Sequence, residues 1–215
     1  GQMNSLPVVH FENPGDNLYL DITEYTSDEL TVFIALRETS YLNGKSIMTF
    51  QDMGNGQSYN NVQSLLIQFQ NSNRFRINRT EDTLFDVITD SSSGDNNLIS
   101  GKFETSGSTG YINGENYATG NATGNFAFER IILGLRYHTS AYNTSFSGTP
   151  EIGEIMVYTD ALDDTAREEV ENYLANKWGL SYAYLEPEEG VLASLPDVYS
   201  PVDGTTLSDT QNHNT

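Results

Sequence analysis

The chain has 215 residues, with 10 Lys+Arg against 30 Asp+Glu, a formal net charge of −20 and a pI of about 4.2. That length suits one all-β domain, or one domain with a tail. The negative field excludes nucleic acid as a general partner and disfavours anionic membrane surfaces. With no cysteine there is no disulfide, thiolate metal site or Cys nucleophile, and three histidines (His10, His138, His213) are too few for a His-rich zinc site. The longest apolar stretches, Thr31–Leu36 and Ile131–Leu135, are far short of a bilayer span, so no membrane insertion is expected. No basic segment leading into an apolar run opens the sequence, so no signal peptide is expected in it. Gly, Ser, Thr and Asn are abundant beside 13 Tyr and 10 Phe, the profile of short strands joined by tight turns. The acidity and low lysine content suit a secreted, cell-surface or virion-surface protein.

Residues 1–5 are polar and expected to be frayed. The β pattern begins at Leu6–Phe11, turns at Asn13–Asn17 and resumes at Leu18–Leu20. Leu30–Arg37 predicts a strand buried on both faces, with Leu30, Val32, Ile34 and Leu36 on one side and Phe33 and Ala35 on the other. Ser46–Phe50 is a further strand, followed by the polar loop Gln51–Asn61. Leu65, Ile67 and Phe69 alternate inward, as do Phe75 and Ile77, with a hairpin turn at Asn71–Asn73. Leu84–Ile88, Leu98–Phe103, Phe126–Tyr137 and Gly153–Tyr158 complete the strands, and Asn113-Gly114 marks a type I′ hairpin.

One helix is predicted. Asp163 is its N-cap, Gly179 its C′ stop, and Ala166, Val170, Tyr173, Leu174 and Trp178 its apolar face, with Glu168, Glu169, Glu171 and Asn172 largely off it. Residues 181–215 then hold six acids, three prolines and no Lys or Arg. They are expected to form an extended acidic linker or arm able to engage neighbouring subunits. The domain expected between is 6–180.

This order of elements suggests an all-β, two-sheet antiparallel jelly-roll sandwich with one C-terminal amphipathic helix. The segments Gly153-Glu154-Ile155-Met156-Val157-Tyr158, Ala161-Leu162-Asp163-Asp164 and Tyr173-Leu174-Ala175-Asn176-Lys177-Trp178-Gly179-Leu180 resemble the closing strand and helix of laminin-G-like, concanavalin-A-like jelly rolls. Leu6–Phe11, Leu30–Phe33 and Tyr111–Gly114 resemble their PVV, TVF and VNG segments in the same order. The resemblance spans 6–180. It departs in two places. The sequence begins after the position of a strand many members carry, so a sheet edge is expected to be open or covered by another segment. Phe146-Ser147-Gly148 stands where FDG is common, which removes an acidic side chain from that loop.

The superfamily that the chain resembles includes glucanases, whose catalytic strand carries a pattern similar to E-x-D-x-x-E. No such pattern occurs, and Glu151 and Glu154, three apart, point to opposite faces of a regular strand. A G-x-S-x-G elbow and a phosphate loop are absent too. No catalytic residue is assigned. Calcium is the cofactor best suited to the loop oxygens of Asp16, Asp52, Asp90, Asp95 and Asn96. Tyr59, Tyr117, Tyr137 and Tyr142 are the candidate platforms on which a sugar face would stack. Sequons occur at Asn78, Asn121 and Asn143. The leading expectation is a non-catalytic module binding a glycan or a protein surface. The alternative is an architectural domain of an assembly such as a phage particle or surface layer, and a glycoside hydrolase ranks third.

Overall fold

Thr31–Leu36 carries fully buried side chains on both sides, so the strand containing it must lie between two packed layers. The computed structural model describes residues 1–13, 15–38, 44–52, 65–69, 74–79, 83–88, 95–120, 124–138, 141–142, 145 and 147–182; of Glu38, Arg74, residues 83–88, 137–138 and 141–142 the backbone alone is described. All belong to a unit spanning Gly1–Tyr184, and Leu185–Thr215 form a second. The Asn71–Asn73 turn, the sequons at Asn121 and Asn143, and the arm beyond Tyr182 lie outside the described residues.

The first strands are β1 (Gln2–Met3), β2 (Leu6–Pro7), β3 (Val9–His10), β4 (Leu18–Ser27), β5 (Leu30–Glu38) and β6 (Lys45–Gln51). Then come β7 (Leu65–Phe69), β8 (Arg74–Arg79), β9 (Thr83–Ile88), β10 (Asn96–Glu104), β11 (Gly107–Ile112) and β12 (Glu115–Gly120). The last are β13 (Phe126–Leu133), β14 (Tyr137–His138), β15 (Ala141–Tyr142) and β16 (Pro150–Tyr158), followed by the helix α1 (Asp164–Trp178). One six-stranded sheet has the order β12-β11-β10-β5-β16-β3, the other β4-β13-β6-β7-β8-β9. Every pairing within them is antiparallel. The protein is thus an all-β two-sheet jelly-roll sandwich with one late helix. No helix among the described residues is long and apolar enough to cross a membrane.

The period of two decides which side chains meet. Leu30, Val32, Ile34 and Leu36 join Phe50, Ile67, Phe75 and Ile99 between the sheets. Phe33 and Ala35 leave by the other face and pack under α1 with Leu98, Leu174 and Trp178. Each such Val, Leu, Ile or Phe side chain removed from water contributes roughly 1.5–3 kcal/mol before ordering costs. Asn113 (φ 51°) and Gly114 (φ 85°) form the expected hairpin, both in the left-handed region.

Four expectations are corrected. Residues 1–5 are not frayed: β1 pairs with β2, and Met3 is buried in the cluster beneath α1. The strand from Phe126 stops at Leu133, because Gly134 (φ 77°) turns the chain and a Cβ there would meet the Phe11 ring. Glu151 and Glu154 share one face, since the pairing of β16 with β5 slips between Ile152 and Glu154. Opposite Arg37 and Ala35 respectively, both carboxylates point to the α1 side, and Gly153 between them leaves room for the Trp178 ring.

The fourth correction concerns α1. Asp163 caps it as expected, its carboxylate accepting from the Ala166 amide at 2.8 Å, and Gly179 ends it in the left-handed conformation. Its buried stripe, however, is Arg167, Glu171, Leu174, Ala175 and Trp178, while Tyr173 is exposed. Glu171 is fully buried and ion-paired to Arg167. It accepts from Ser100 Oγ at 2.6 Å and from Tyr182 Oη at 2.7 Å. The Arg167 guanidinium lies 3.9 Å from the centre of the Tyr111 ring. Burial works against the Arg167 charge, but Glu171 outweighs it and the net shift is upward.

This arrangement makes the fold sensitive to alkali. Burial raises the hydroxyls of Tyr25, Tyr111 and Tyr182 above their ordinary value, and for Tyr182 the hydrogen bond to Glu171 adds to it. Folding therefore favours the protonated phenols. Their contribution is complete below about pH 10 and is lost as pH climbs towards the raised folded values. The urea midpoint is expected to fall between about pH 9 and about pH 11. A flat midpoint across that window would contradict the assignment.

A polar, guanidinium-lined sheet face as candidate functional site

Two rows of residues cross the outer face of the second sheet. Asp21 of β4 stands opposite Arg130 of β13, and Arg130 opposite Gln51 of β6. Tyr19, Ile132, Thr49, Leu66 and Asn78 line up beside them from β4 to β8, and Gln68 of β7 faces Arg76 of β8. Past Gly134 the chain folds back over this face. Thr49 Oγ1 donates to the Leu135 carbonyl at 3.4 Å, and Arg136 Nη1 donates to Gln68 Oε1 at 2.9 Å. Three of the ten cationic side chains of a strongly acidic protein, Arg76, Arg130 and Arg136, thereby gather on one surface.

The face grades from open to closed. At the β4 end Tyr19 is 55% exposed, and Arg130 lies 4.4 Å from its ring centre while its guanidinium is hydrogen-bonded by both carboxylate oxygens of Asp21. The Arg130 hydrogen bond is the leading cause holding the Asp21 carboxyl below its usual range. Towards β8 the floor is buried: Thr49, Gln51, Asp52, Gln68, Asn78 and Arg136 are almost wholly out of solvent. Burying an amide without partners costs about 1–3 kcal/mol. Gln51 is 4% exposed, yet neither its Oε1 nor its Nε2 has a hydrogen-bond partner. An amide presenting a donor and an acceptor group, opposite Arg130, is suited to a carboxylate or a pair of vicinal hydroxyls.

The predicted site residues distribute unevenly. Tyr137 and Tyr142 face each other across the β14–β15 hairpin, which begins one residue after Arg136. Tyr117 stands on β12, the edge strand of the other sheet, and Tyr59 lies outside the described residues. Of the proposed calcium ligands, Asp16 closes a turn: its Oδ2 accepts from the Asn13 amide at 2.8 Å and the Glu12 amide at 3.1 Å. Asp52 is buried at the end of β6, and Asp95 and Asn96 stand where β10 begins. Asp90 lies outside the described residues. Among the described residues no three His, Asp or Glu side chains form a group able to hold a metal. Ser147 is buried and accepts from the Gly15 amide at 2.8 Å, a purely neutral contact. Asn78, the first sequon, is buried on the sheet face.

Sequence reasoning missed Gln51, Gln68 and Arg136. A signal existed, since a polar residue alternating with Phe50 or Ile67 must occupy the face opposite the core. Glu151 and Glu154, meanwhile, are held by separate donors. Glu151 pairs with Arg37 and lies 3.5 Å from His10. Glu154 accepts from Trp178 Nε1 at 2.8 Å and Lys177 Nζ at 2.9 Å.

No family model matches the chain, and no curated protein matches its sequence. Solved structures do match its fold. The heptameric SAP-like pentraxin of Limulus polyphemus superposes with a TM-score of 0.60 at 14% identity, covering 77% of this chain and 80% of that one. The CBM40 of the Ruminococcus gnavus IT-sialidase, solved with α2,3-sialyllactose bound, gives 0.56 at 18% identity, covering 67% and 82%. The K499G mutant of NanB sialidase from Streptococcus pneumoniae gives 0.56 at 14% identity, covering 77% of this chain and 27% of that one. At these identities the likeness establishes the jelly-roll architecture.

Proposed function

We propose that this domain is a non-catalytic, concanavalin-A-like recognition module that binds an anionic glycan on the outer face of its second sheet. One observation carries the reading: Gln51, buried without partners, sits in a face that also holds Arg76, Arg130 and Arg136. A sugar carboxylate would find charge-assisted donors there that the rest of an acidic surface denies it. Exposed Tyr19 stands at its open end to receive an apolar ring face. The sialyllactose bound by the structurally similar CBM40 supports this ligand class. Glu151 and Glu154 are engaged by Arg37, Trp178 and Lys177, which supports binding without turnover. The setting that suits such a module is outside the cell or on a particle surface.

The test is a glycan array followed by titration with α2,3-sialyllactose and with lactose, run with calcium and again with a chelator. Binding of the acidic sugar that survives the chelator is expected. Gln51→Leu should weaken it at least about tenfold while leaving stability unchanged or higher, because it deletes an unpaired buried amide. Arg136→Met should weaken it similarly. A blank array of acidic glycans with a folded protein, or binding indifferent to both substitutions, would remove the reading and move the weight to the architectural alternative.

A further inference from the structure

The two lateral edges of the sandwich differ. At one, β12 packs against β9. At the other, β16 is nine residues long, yet β3 pairs only with its Glu151 and Ile152. Among the described residues, Gly153–Val157 have no ladder partner on that side. The opposing edge strand is β4. Leu18 and Leu20 pair with Leu133 and Ile131, which pack against the main core, so both side chains point into the gap between the sheets. They are nevertheless 53% and 50% exposed, and Val9 of β3 is 46% exposed. Ile22, Ile155 and Val157 line the same gap half-buried. Unpaired backbone beside apolar side chains is the usual substrate for strand addition.

Charge selects the occupant. At the far end of the gap Tyr25 Oη lies 2.8 Å from the Thr159 carbonyl and 3.0 Å from that of Glu29. The charges of Asp160, Glu29 and Asp28 act on this hydroxyl and, after burial, help to raise its pKa. Asp28 neighbours the buried Arg79, but Glu29 and Asp160 form no ion pair among the described residues. A second copy, also at −20, would bring more negative charge to this end. A cation would find two carboxylates there.

We infer that the open β16–β4 edge accepts an extended segment of a partner protein, apolar at alternate positions and basic at one end, as an added strand on β16. Its backbone takes up the ladder groups of Gly153–Val157. Its apolar side chains cover Leu18, Leu20 and Ile155, and its terminal cation meets Asp160 and Glu29.

The probe is a fluorescein-labelled nonapeptide alternating valine and threonine with two lysines at one end, titrated into the 215-residue chain. Saturable binding is expected, with slowed amide exchange confined to Gly153–Val157 and the facing residues of β4. Leu20→Ser should weaken it about fivefold. Asp160→Asn should weaken it and flatten its salt dependence. Glu115→Gln, on β12 at the opposite edge, should change neither. No binding at millimolar peptide, or binding indifferent to Leu20→Ser and Asp160→Asn, would overturn the proposal. Self-association of the chain that protects the same amides would assign the edge to a second copy and overturn the proposed partner.

Discussion

Replacing Glu171 by alanine is expected to cost about 3–5 kcal/mol of folding stability, because it removes the fully buried carboxylate paired to Arg167 and leaves only the more exposed Glu168 and Asp164. Both residues are almost wholly buried between α1 and the first sheet. The Glu171 carboxylate serves three parts of the molecule together: Ser100 on β10, Arg167 one helical turn earlier, and Tyr182 in the segment after α1. Removing it leaves two hydroxyls without that acceptor and the guanidinium with only Glu168 and Asp164, and each buried group so deprived carries its own penalty. Tyr182 is held from below as well, since its ring rests where a Cβ on Gly114 would be. Loss of Glu171 should therefore loosen the chain beyond Gly179 and the hairpin at Asn113-Gly114 together. Urea unfolding followed by tryptophan fluorescence reports this directly, as Trp178 is the one tryptophan and packs on the same helix face. The double substitution Arg167→Met, Glu171→Leu should recover most of the loss, because an apolar pair of similar volume carries no desolvation cost. A loss below about 1 kcal/mol for Glu171→Ala would mean that water reaches the pair after all.

The features legible in the sequence were those set by local chemistry or by strict alternation. Asp163 and Gly179 bound the helix because capping involves only a few neighbouring residues. Asn113-Gly114 gave its hairpin because both positions need positive φ. Leu30–Leu36 identified a doubly covered strand because nothing polar interrupts it. What failed depended on one residue changing the register or on partners far along the chain. The slip beside Gly153 moves Glu151 and Glu154 onto one face, and an alternation rule cannot foresee it. Glu171 looks like a surface acid in a helix rich in acids until Ser100, seventy-one positions earlier, is placed beneath it. The candidate site was hidden for a related reason. Tyrosines in loops drew the reading, whereas the structure gathers amides and arginines from β6, β7, β8 and β13, each unremarkable in its own strand. Tyr137 and Tyr142 were paired only by the fold, through a hairpin that β13 could not enter without the turn at Gly134.

Arg79→Met is expected to destabilise the domain by about 4 kcal/mol, more than any surface charge removal. The alternation that turns Phe75 and Ile77 into the core turns Arg79 inward as well, at the end of β8. Its guanidinium is fully buried. It donates to the carbonyls of Asp28, Glu104, Gly107 and Gly124. Those carbonyls belong to the β4–β5 turn, the β10–β11 turn and the approach to β13, so one side chain ties three connections at one end of the sandwich. The Phe126 ring centre lies 4.9 Å from it and that of Phe103 5.9 Å, and they shield the bonds from water. Burial pulls its pKa down, with Asp28 opposing, but a guanidinium stays charged in a protein. Methionine fills much of the volume and leaves four carbonyls without a donor. Lysine keeps the charge but not the planar fork, so Arg79→Lys should recover less than half of the loss. Denaturant titrations of the two variants measure both. Equal stability of Arg79→Lys and the parent chain would show that charge alone suffices at this position. The buried fork would then play no part in holding the turns.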